Sequence, residues 1–473
     1  MKCNTLFVTL PPHEAILSTV APLGQLYLAT ELKNKNVSVK ILDCAKEKIN
    51  WKLMYEKIES IAPQNIGLTL YTSFFAETRR FITDIRNLLP QTKIILGGPH
   101  ATAFPKPTFT RLNPDILVKG EGEHVIFPII ESLNNKRPDM LSTIPGLIFR
   151  DNSEEIIETP GVNRIKDLDA LAIPDWSLLP PEEYPYNTMG NMNRDFPVGG
   201  MITSRGCKYN CPFCAGKSVY GSGVRYRSTE HVLEEIKLLV NQYGVKDIAI
   251  YDENFANKKE HAFNICKAII DQNIKVKWCL PNGIKIQDID DDLIDVFKRS
   301  GCHRLILGLE TLDEEVQRIN RKLIDIEKSI QTVQKMRKAG IVVGTFIIVG
   351  LPGETKRSVE NTYKLLKRFR LDFMMPPSVF VPTAGSEYSY KFGIENNDFS
   401  TITSTYTKGT GKSYCELSWN ELKKYQRKFV ILAGYTMLSH IFRNLPYIRF
   451  KNFMSYLNFI RFAYVNMSLR TKS

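Results

Sequence analysis

The sequence predicts an α/β protein in which two series of parallel β/α units follow one another along the chain. The first observation is that short apolar stretches alternate with longer stretches whose apolar residues recur at helical spacing. The second is that this alternation fades once, between residues 148 and 195, into a segment rich in proline and acidic residues. We therefore expect two α/β domains joined by a linker and followed by a C-terminal region, since 473 residues can build several cores.

The first predicted domain, residues 1–147, is a doubly wound, Rossmann-like sheet with helices on both faces. Its elements are, in order, strand NTLFVTL, helix LGQLYLATELKNK, strand VSVKILD, helix WKLMYEKIESI, strand NIGLTL, helix AETRRFITDIRNLL and strand KIILGG. Glycines follow the predicted strand ends in GGPH (97–100) and GEGE (120–123). Ligands of such sheets bind beyond the carboxyl ends of the strands, where glycine lets a large flat molecule approach the backbone.

Residues 148–195 are predicted to be a linker held on the surface by Trp176 and its neighbouring leucines. The second series, residues 196–395, contains six predicted strands separated by helical stretches. These strands are GGMITS, DIAIYD, VKWCLP, RLILGLE, GTFIIVG and PSVFVP. Six β/α units suffice for a partial, TIM-like (β/α)6 barrel and fall short of the eight in a closed barrel.

The C-terminal region, residues 396–473, is predicted to be mostly helical and basic. From residue 421 onward it holds ten lysines and arginines against one acid. Helical spacing places one apolar face on IRFKNFMSYLNFIRFAYVNM, formed by Phe450, Phe453, Met454, Leu457, Ile460 and Tyr464. This segment is interpreted as a helix packed over the barrel mouth, or alternatively as a basic amphipathic helix at the inner face of a membrane. No RNA-binding module is recognisable, so nucleic acid is not an expected partner.

The composition indicates a cytoplasmic globular protein. Of the residues, 43% are hydrophobic and 24% are charged, and no apolar run reaches the ~20 residues of a membrane-spanning helix. The opening MKCNTLFVTLPPHEAI predicts a first strand rather than a signal peptide. In the cytoplasm thiols stay reduced, so a tight cysteine cluster indicates metal binding or catalysis rather than disulfides. Six scattered cysteines are interpreted as small buried hydrophobes: Cys3, Cys44, Cys266, Cys279, Cys302 and Cys415.

The other three cysteines, Cys207, Cys211 and Cys214, form a C-x3-C-x2-C cluster in the loop after the first predicted barrel strand. A structural zinc site would need a fourth ligand, and His231 and His261 are isolated on predicted helices. Three thiolates are what a four-iron cluster takes when one iron stays open to an outside ligand. The loop also belongs to the catalytic face of a β/α barrel. The sequence therefore predicts a [4Fe–4S] cluster at this loop.

The spacing of these cysteines, with an aromatic residue before the last one, resembles the radical S-adenosylmethionine superfamily. The resemblance implies that the three cysteines are the catalytic cluster ligands and that the open iron binds S-adenosylmethionine. Pro212 and Phe213 are expected to stiffen the loop and to shield one side of the cluster, which makes Phe213 a candidate cofactor-binding residue. Six further segments match in order: RYRS (225–228), YDENF (251–255), GLET (308–311), INRK (319–322), IIVGLPGET (347–355) and PTAGSEY (382–388). Within them, the resemblance implies cofactor contacts for Asp252, Glu310, Arg321 and Gly350.

The first domain resembles the cobalamin-binding subclass of the same superfamily. The matching pieces are APLGQLYLATEL (21–32), GLTLYTS (67–73), GGPHATAFP (97–105), GEGE (120–123) and DLDALAIPDW. They imply that cobalamin contacts Gly24, Ser73, Gly97, Gly98, Gly120, Glu121, Gly122 and Glu123. The D-x-H-x-x-G motif that supplies a histidine to cobalt is absent, and His13, His100 and His124 lack its context. The resemblance therefore leaves the lower cobalt ligand open.

The function that this resemblance implies is methylation of an unactivated carbon through a 5′-deoxyadenosyl radical and methylcobalamin. Alternatives are oxidative cyclisation or ring rearrangement with the same cofactors, and a non-catalytic corrinoid or iron–sulfur carrier. Methylthiolation of transfer RNA fits poorly, because only two cysteines precede the linker and no C-terminal RNA-binding barrel is recognisable. The implied partners are a small-molecule, lipid-like, tetrapyrrole or peptide substrate and an external one-electron donor of the flavodoxin or ferredoxin type.

Overall fold

The protein is described by a computed structural model that covers residues 3–11, 20–135, 137–184, 194–396, 399 and 411–444. Two sheets carry the fold, as the alternation of strands and helices predicts. In the described part of the chain, no helix is both long enough and apolar enough to cross a membrane.

The first sheet has seven strands in the order β2-β1-β3-β4-β5-β6-β7. The strands are β1 Thr5–Thr9, β2 Val39–Asp43, β3 Asn65–Thr69, β4 Lys93–Gly97, β5 Ile116–Val118, β6 Leu147–Arg150 and β7 Ile156–Glu158. The first five are parallel, with β1 between β2 and β3, and this confirms the doubly wound class. The last two are antiparallel and fall at the start of the predicted linker. The sequence does not predict these strands, because each is too short to show a periodicity.

Helices cover both faces of this sheet. They are α1 Leu23–Asn34, α2 Cys44–Glu47, α3 Trp51–Ile61, α4 Phe75–Leu88, α5 Pro99–Ala103, α6 Pro105–Leu112, α7 Glu123–Asn134 and α8 Pro138–Leu141. One core lies under α3 and α4, and a second lies under α1 and α7. The long helices begin and end within a residue or two of their predicted positions, because their apolar faces repeat clearly.

The second sheet is a six-stranded, parallel half-barrel in the order β15-β14-β13-β12-β11-β8, and it confirms the partial barrel. Its strands are β8 Val198–Met201, β11 Asp247–Ile250, β12 Lys277–Ile284, β13 Cys302–Glu310, β14 Val342–Val349 and β15 Ser378–Val379. Beside it, β9 Ser204–Arg205 and β10 Arg225–Tyr226 form a short antiparallel ribbon. The ribbon leads directly into the cysteine loop, so it sets where that loop starts.

Helices accompany the strands of the half-barrel. They are α9 Gly216–Tyr220, α10 Thr229–Asn241, α11 Lys259–Asp271, α12 Asp291–Arg299, α13 Glu314–Ile319, α14 Ile326–Lys338, α15 Lys356–Phe369 and α16 Glu387–Lys391. A final helix, α17 Trp419–Asn444, packs with β14 and β15. The amphipathic segment predicted at 448–467 lies outside the described residues.

The two domains share a hydrophobic core through the linker. Trp176 and Leu179 are fully buried in the cluster that contains Leu26 of α1 and Val232 of α10. Three short 3₁₀ turns carry the linker: Leu168–Ala170, Trp176–Leu178 and Pro181–Glu183. This packing brings the carboxyl ends of the first sheet toward the loop that carries the three cysteines.

Candidate functional site

The three clustered cysteines lie in one loop beyond the end of β8. Cys207 and Cys211 are half-buried, Cys214 is exposed, and all three thiols are free. Partial burial raises the pKa values of Cys207 and Cys211, and the nearby Lys322 opposes this rise in both. The amide of Cys214 donates to the Cys211 carbonyl at 3.1 Å, which closes a tight turn. Three thiols in one loop, none of them in a disulfide, are a donor set that suits an iron–sulfur cluster.

Side chains from the neighbouring strands hold this loop in place. The Asn257 side chain accepts from the Lys208 amide at 3.1 Å and donates to the Gly206 carbonyl at 3.0 Å. The Tyr209 hydroxyl donates to Asp288 at 2.6 Å, and the Lys285 ammonium lies 3.8 Å from the Tyr209 ring centroid. Gly206 adopts a φ of +102°, and a Cβ there would lie 2.4 Å from the Gly223 carbonyl oxygen. These contacts therefore fix the backbone conformation of the segment that joins the ribbon to the cysteines.

Phe213 and Gly350 lie on one side of the loop. The partly buried Phe213 ring packs against the cluster of Val316, Leu351, Phe380 and Tyr388. The amide of Tyr388 donates to the Pro212 carbonyl at 3.0 Å. Gly350 follows β14 with a φ of +93°, and its amide donates to the buried Glu354 carboxylate at 2.5 Å. The end of β14 thus approaches the cysteine loop.

Asp252 is fully engaged by the chain itself. It is buried, and its carboxylate accepts from the Thr203 amide, the Thr203 hydroxyl and the Ser204 hydroxyl, each at 2.6 Å. Burial raises its pKa despite these bonds. Through these hydrogen bonds, the Asp252 carboxylate fixes Thr203 and Ser204, which lead into the cysteine loop.

Glu310 and Arg321, both predicted to contact the cofactor, lie in different surroundings. Glu310 ends β13, is largely buried, and lies 3.9 Å from the Lys322 ammonium. Burial raises its pKa, and Lys322 opposes the rise. Arg321 is 42% exposed and pairs with Glu387, and its carbonyl oxygen lies 4.0 Å from the Cys211 sulfur. The structure therefore brings Lys322, which the sequence reasoning did not single out, toward the cysteines, although it adjoins Arg321 in the quoted INRK segment.

A cavity of about 710 Å³ lies between the first domain and the half-barrel. Six of the residues predicted to contact cobalamin line it: Gly24, Gly98, Gly120, Glu121, Gly122 and Glu123. Gly97 instead borders an adjoining cleft of about 70 Å³ between the sheet and α1 and α7. Ser73 lies in the 3₁₀ turn Thr72–Phe74, whose neighbours Tyr71 and Phe74 line the cavity in its place. Among the described residues that line the cavity, none is a histidine.

The carboxylates of Glu121 and Glu123 are bound to arginines of the half-barrel. Arg205 lies 2.5 Å from Glu123 and 3.4 Å from Glu121. Both nitrogens at the tip of Arg225 reach Glu121 at 2.7 Å. The sequence reasoning read these two acids as cofactor contacts; the structure makes their carboxylates contacts between the two domains.

The half-barrel side of the cavity was missed by the sequence reasoning. Its lining residues are Ile202, Arg205, Val219, Tyr220, Tyr251, Glu253 and Asn282. Burial and the adjacent Asp252 raise the pKa of Glu253 to about 7, while a hydrogen bond from Tyr220 opposes the rise. Glu253 also accepts from the Gly206 amide at 3.2 Å. Glu253 could have been suspected, since it lies in the quoted segment YDENF beside Asp252.

A second group of potential ligands, Asp247, Cys279 and His303, is buried at the amino ends of the barrel strands. Asp247 accepts from the Arg194 amide at 2.7 Å and pairs with His303 at 3.0 Å. The Arg304 guanidinium donates to the Cys279 sulfur at 3.1 Å. These groups satisfy one another beside a buried cation, so we interpret them as a structural network.

The sequence matches two family models. That of the radical SAM superfamily matches residues 201–366, and that of the B12 binding domain matches residues 14–127. The matches fall on the half-barrel and on the first sheet, in the order that the sequence predicts.

Two relatives and one solved structure extend this result. An uncharacterised methyltransferase of Pyrococcus horikoshii is 29% identical over 404 residues, which cover 84% of each chain. An anaerobic magnesium-protoporphyrin IX monomethyl ester cyclase of Rubrivivax gelatinosus is 27% identical and covers 80% of this chain and 68% of its own. The methyltransferase TsrM of Kitasatospora setae, solved with cobalamin and a [4Fe–4S] cluster, has a TM-score of 0.65 and 19% identity, covering 82% of this chain and 77% of TsrM. That similarity shows a shared fold.

The two family models, their order along the chain and the cavity between the two matched domains agree with one another. The chain belongs to the cobalamin-binding radical S-adenosylmethionine enzyme family.

Proposed function

We propose that this protein methylates an unactivated carbon of a small molecule, using a [4Fe–4S] cluster, S-adenosylmethionine and cobalamin. The observation that carries the proposal is the cavity between the domains. It is lined on one side by the glycine-rich loops of the B12-binding domain and on the other by residues that adjoin the cysteine loop. One cavity thus borders the loops to which the resemblance assigns cobalamin and the residues that flank the cysteine loop, Arg205 and Tyr220. The similarity to methyltransferases supports the choice of reaction.

The residues at the cysteine loop fit a cluster and its cofactor. Cys207, Cys211 and Cys214 would hold three irons, and Glu310 and Lys322 form an adjacent pair of opposite charge. Such a pair suits the amino and carboxylate groups of an amino acid, because each charge of the ligand meets an opposite charge. This donor set leaves one iron without a protein ligand.

The cavity fits a corrinoid. Its volume lies in the range of about 300–1,000 Å³ that is typical of ligand sites. A Cβ added at Gly24 would meet no atom within 4 Å, so the first turn of α1 leaves room for a large ring. Because no described lining residue is a histidine, we propose that no imidazole of the described residues serves as the lower cobalt ligand.

The bound cofactors would supply a carbon radical and a transferable methyl group, which no side chain can provide. The task of the chain is to position the substrate and to exclude water. The apolar side chains of Leu23, Phe74, Ile202 and Val219 line the cavity and would limit water around a bound substrate. Glu253 offers a carboxyl group whose pKa of about 7 allows it to hold a proton near neutral pH, with Tyr220 bonded to it. These groups would orient a polar part of the substrate.

The proposal is tested with anaerobically reconstituted enzyme, hydroxocobalamin, a reductant and S-adenosylmethionine labelled with a trideuterated methyl group. Candidate lipid, tetrapyrrole and peptide substrates are supplied, and products are read by mass spectrometry. A product that gains one labelled methyl group, and that is lost when all three cysteines are replaced by alanine, supports the proposal. Labelled S-adenosylmethionine that is cleaved without any methylated product, across substrates that bind, contradicts it.

Oxidative cyclisation is the second candidate, because a cyclase of a magnesium porphyrin ester is among the relatives. The same assay separates the two, since cyclisation removes hydrogen and adds no methyl group. A non-catalytic carrier would yield neither product and would leave S-adenosylmethionine uncleaved.

We further propose an external one-electron donor of the flavodoxin or ferredoxin type, since the chain must receive electrons at the cysteine loop. A peripheral membrane contact through the basic tail is a separate proposal that rests on the sequence alone. Binding to vesicles of anionic lipid at low salt tests it, and absence of binding contradicts it.

A further inference from the structure

Two arginines of the half-barrel meet two glutamates of the B12-binding domain at the edge of the cavity. Arg205 and Glu123 are 2.5 Å apart, and their side chains are only 7% and 8% exposed. Arg205 also lies 3.4 Å from Glu121, which Arg225 reaches through two hydrogen bonds. We call these four residues the interdomain clamp. They form a connected network of charges, three of them buried and Arg225 partly buried, that spans the domain boundary.

The clamp is attached to both loops that border the cavity. Arg205 and Arg225 occupy opposite positions on the two strands of the β9–β10 ribbon, and Cys207 follows Arg205 by two residues. Glu121 and Glu123 alternate with the glycines that line the cavity, and the Ile165 amide donates to Glu121 at 2.6 Å. A shift of either loop would therefore separate a buried charge from its partner without letting water solvate that charge.

The energetics of buried ion pairs argue for a positioning role. Removing two charges from water costs about as much as their attraction returns, so such a pair adds little to stability compared with apolar packing. Removing one partner leaves the other charge buried and unpaired. Any arrangement of the two domains that separates the partners is therefore strongly destabilised. A network with this property favours one relative position of the segments that it joins.

We propose that the interdomain clamp fixes the separation between the cluster loop and the corrinoid loop, and that Arg205 and Glu123 are positioning residues for the reaction. This inference rests on the proposed function for the identity of the two cofactors. It differs from the role of Glu123 that the sequence resemblance implies, because the carboxylate acts on Arg205 and not on the corrinoid. Misplacement of reacting groups by about 1 Å can lower the rate about a hundredfold. A network that fixes the separation of the two loops would therefore affect the reaction rate.

The test measures the distance between cob(II)alamin and the reduced cluster by pulsed EPR in fully loaded enzyme. Variants Glu123→Gln and Arg205→Lys are compared with the wild type. The matched control is Glu235→Gln, which breaks the buried pair of Arg227 and Glu235 inside the half-barrel. We expect both clamp variants to bind hydroxocobalamin and iron in full and to shift or broaden the distance by about 1 Å. The control is expected to keep the wild-type distance.

Three results would overturn the inference. One is an unchanged distance in both clamp variants. Another is an equal change in the Glu235→Gln control, which indicates a general loss of stability. The third is loss of hydroxocobalamin binding in Glu123→Gln alone with an unchanged distance in Arg205→Lys, which makes Glu123 a ligand. If Glu123→Gln does not fold, Arg205→Lys decides alone, since it keeps the charge and loses the paired geometry. A wild type that loads both cofactors but methylates nothing contradicts the proposed function and leaves the distance test intact.

Discussion

The Lys322 ammonium lies 3.9 Å from the Glu310 carboxylate beside the cysteine loop, and both side chains are almost buried, at 13% and 12% exposure. The neighbouring Arg321 adopts a φ of +48° and pairs with Glu387. The two consecutive basic residues therefore pair with different carboxylates. Lys322, the less exposed of the two, pairs with the carboxylate that ends β13.

We predict that Lys322→Met weakens the binding of S-adenosylmethionine by about tenfold to a hundredfold. The reason is that a hydrogen bond to a charged group contributes about 1.5–3 kcal/mol and its loss leaves Glu310 without a counter-charge. Arg321→Gln is the matched control and is expected to change the affinity by less than about twofold, as an exposed ion pair contributes little. Equilibrium dialysis with reconstituted enzyme of equal iron content gives the comparison. If Arg321→Gln weakened the binding of S-adenosylmethionine more than Lys322→Met did, then Arg321 and not Lys322 would contact the carboxylate of S-adenosylmethionine.

Gly308 leaves room for the same pair of charges. A Cβ at this position would lie 2.9 Å from a Glu310 carboxylate oxygen and 3.1 Å from the Lys322 ammonium. We predict that Gly308→Ala displaces Glu310 and Lys322, and that it lowers S-adenosylmethionine cleavage by about tenfold or more, since a shift of about 1 Å at a reacting site can cost about a hundredfold. Gly434→Ala is the control, because a Cβ there meets no atom within 4 Å. Production of 5′-deoxyadenosine by both variants measures the effect, and equal rates would exclude the steric role of Gly308.

The fold could be predicted from the sequence because its strands and helices alternate with clear periods, and helix α3 was delimited to the residue. The cysteine loop could be located because its three cysteines lie within eight consecutive positions of the chain. The pairing of Glu121 and Glu123 with Arg205 could not, since it joins residues about 80 positions apart in the chain whose contact depends on how two domains pack. The same holds for Lys322, whose direction is set by the turn after α13 and not by its motif.

Gly24 offers a way to fill the cavity without straining the backbone. It lies in the first turn of α1, lines the cavity and has no neighbour within 4 Å of an added Cβ. We predict that Gly24→Leu lowers the affinity for hydroxocobalamin by at least about tenfold, because the new side chain occupies the ring's space. It should keep or raise the free energy of unfolding, since glycine in a helix costs about 1 kcal/mol relative to better helix formers.

Gly24→Ala is the matched variant, with the same gain in helix propensity and little added volume. Absorbance titration of both proteins with hydroxocobalamin and urea unfolding of both apoproteins provide the measurements. If Gly24→Leu binds hydroxocobalamin like the alanine variant, then the corrinoid does not occupy the space beside α1.

Glu253 makes the stability of the apoprotein depend on pH in a defined direction. Burial and Asp252 raise its pKa from an ordinary value of 4.5 to about 7. The folded protein therefore holds this proton more tightly than the unfolded chain, and the resulting stabilisation is complete below pH 4.5 and is lost as the pH rises to about 7. Replacement by glutamine keeps a neutral side chain at every pH. We predict that the difference in unfolding free energy, Glu253→Gln minus wild type, rises by about 2–3 kcal/mol between pH 4.5 and pH 8. Urea unfolding under reducing conditions measures it, with Glu234→Gln on the exposed face of α10 as the control. If the difference in unfolding free energy does not change between pH 4.5 and pH 8, then the Glu253 carboxyl group is solvated and does not hold a proton near neutral pH.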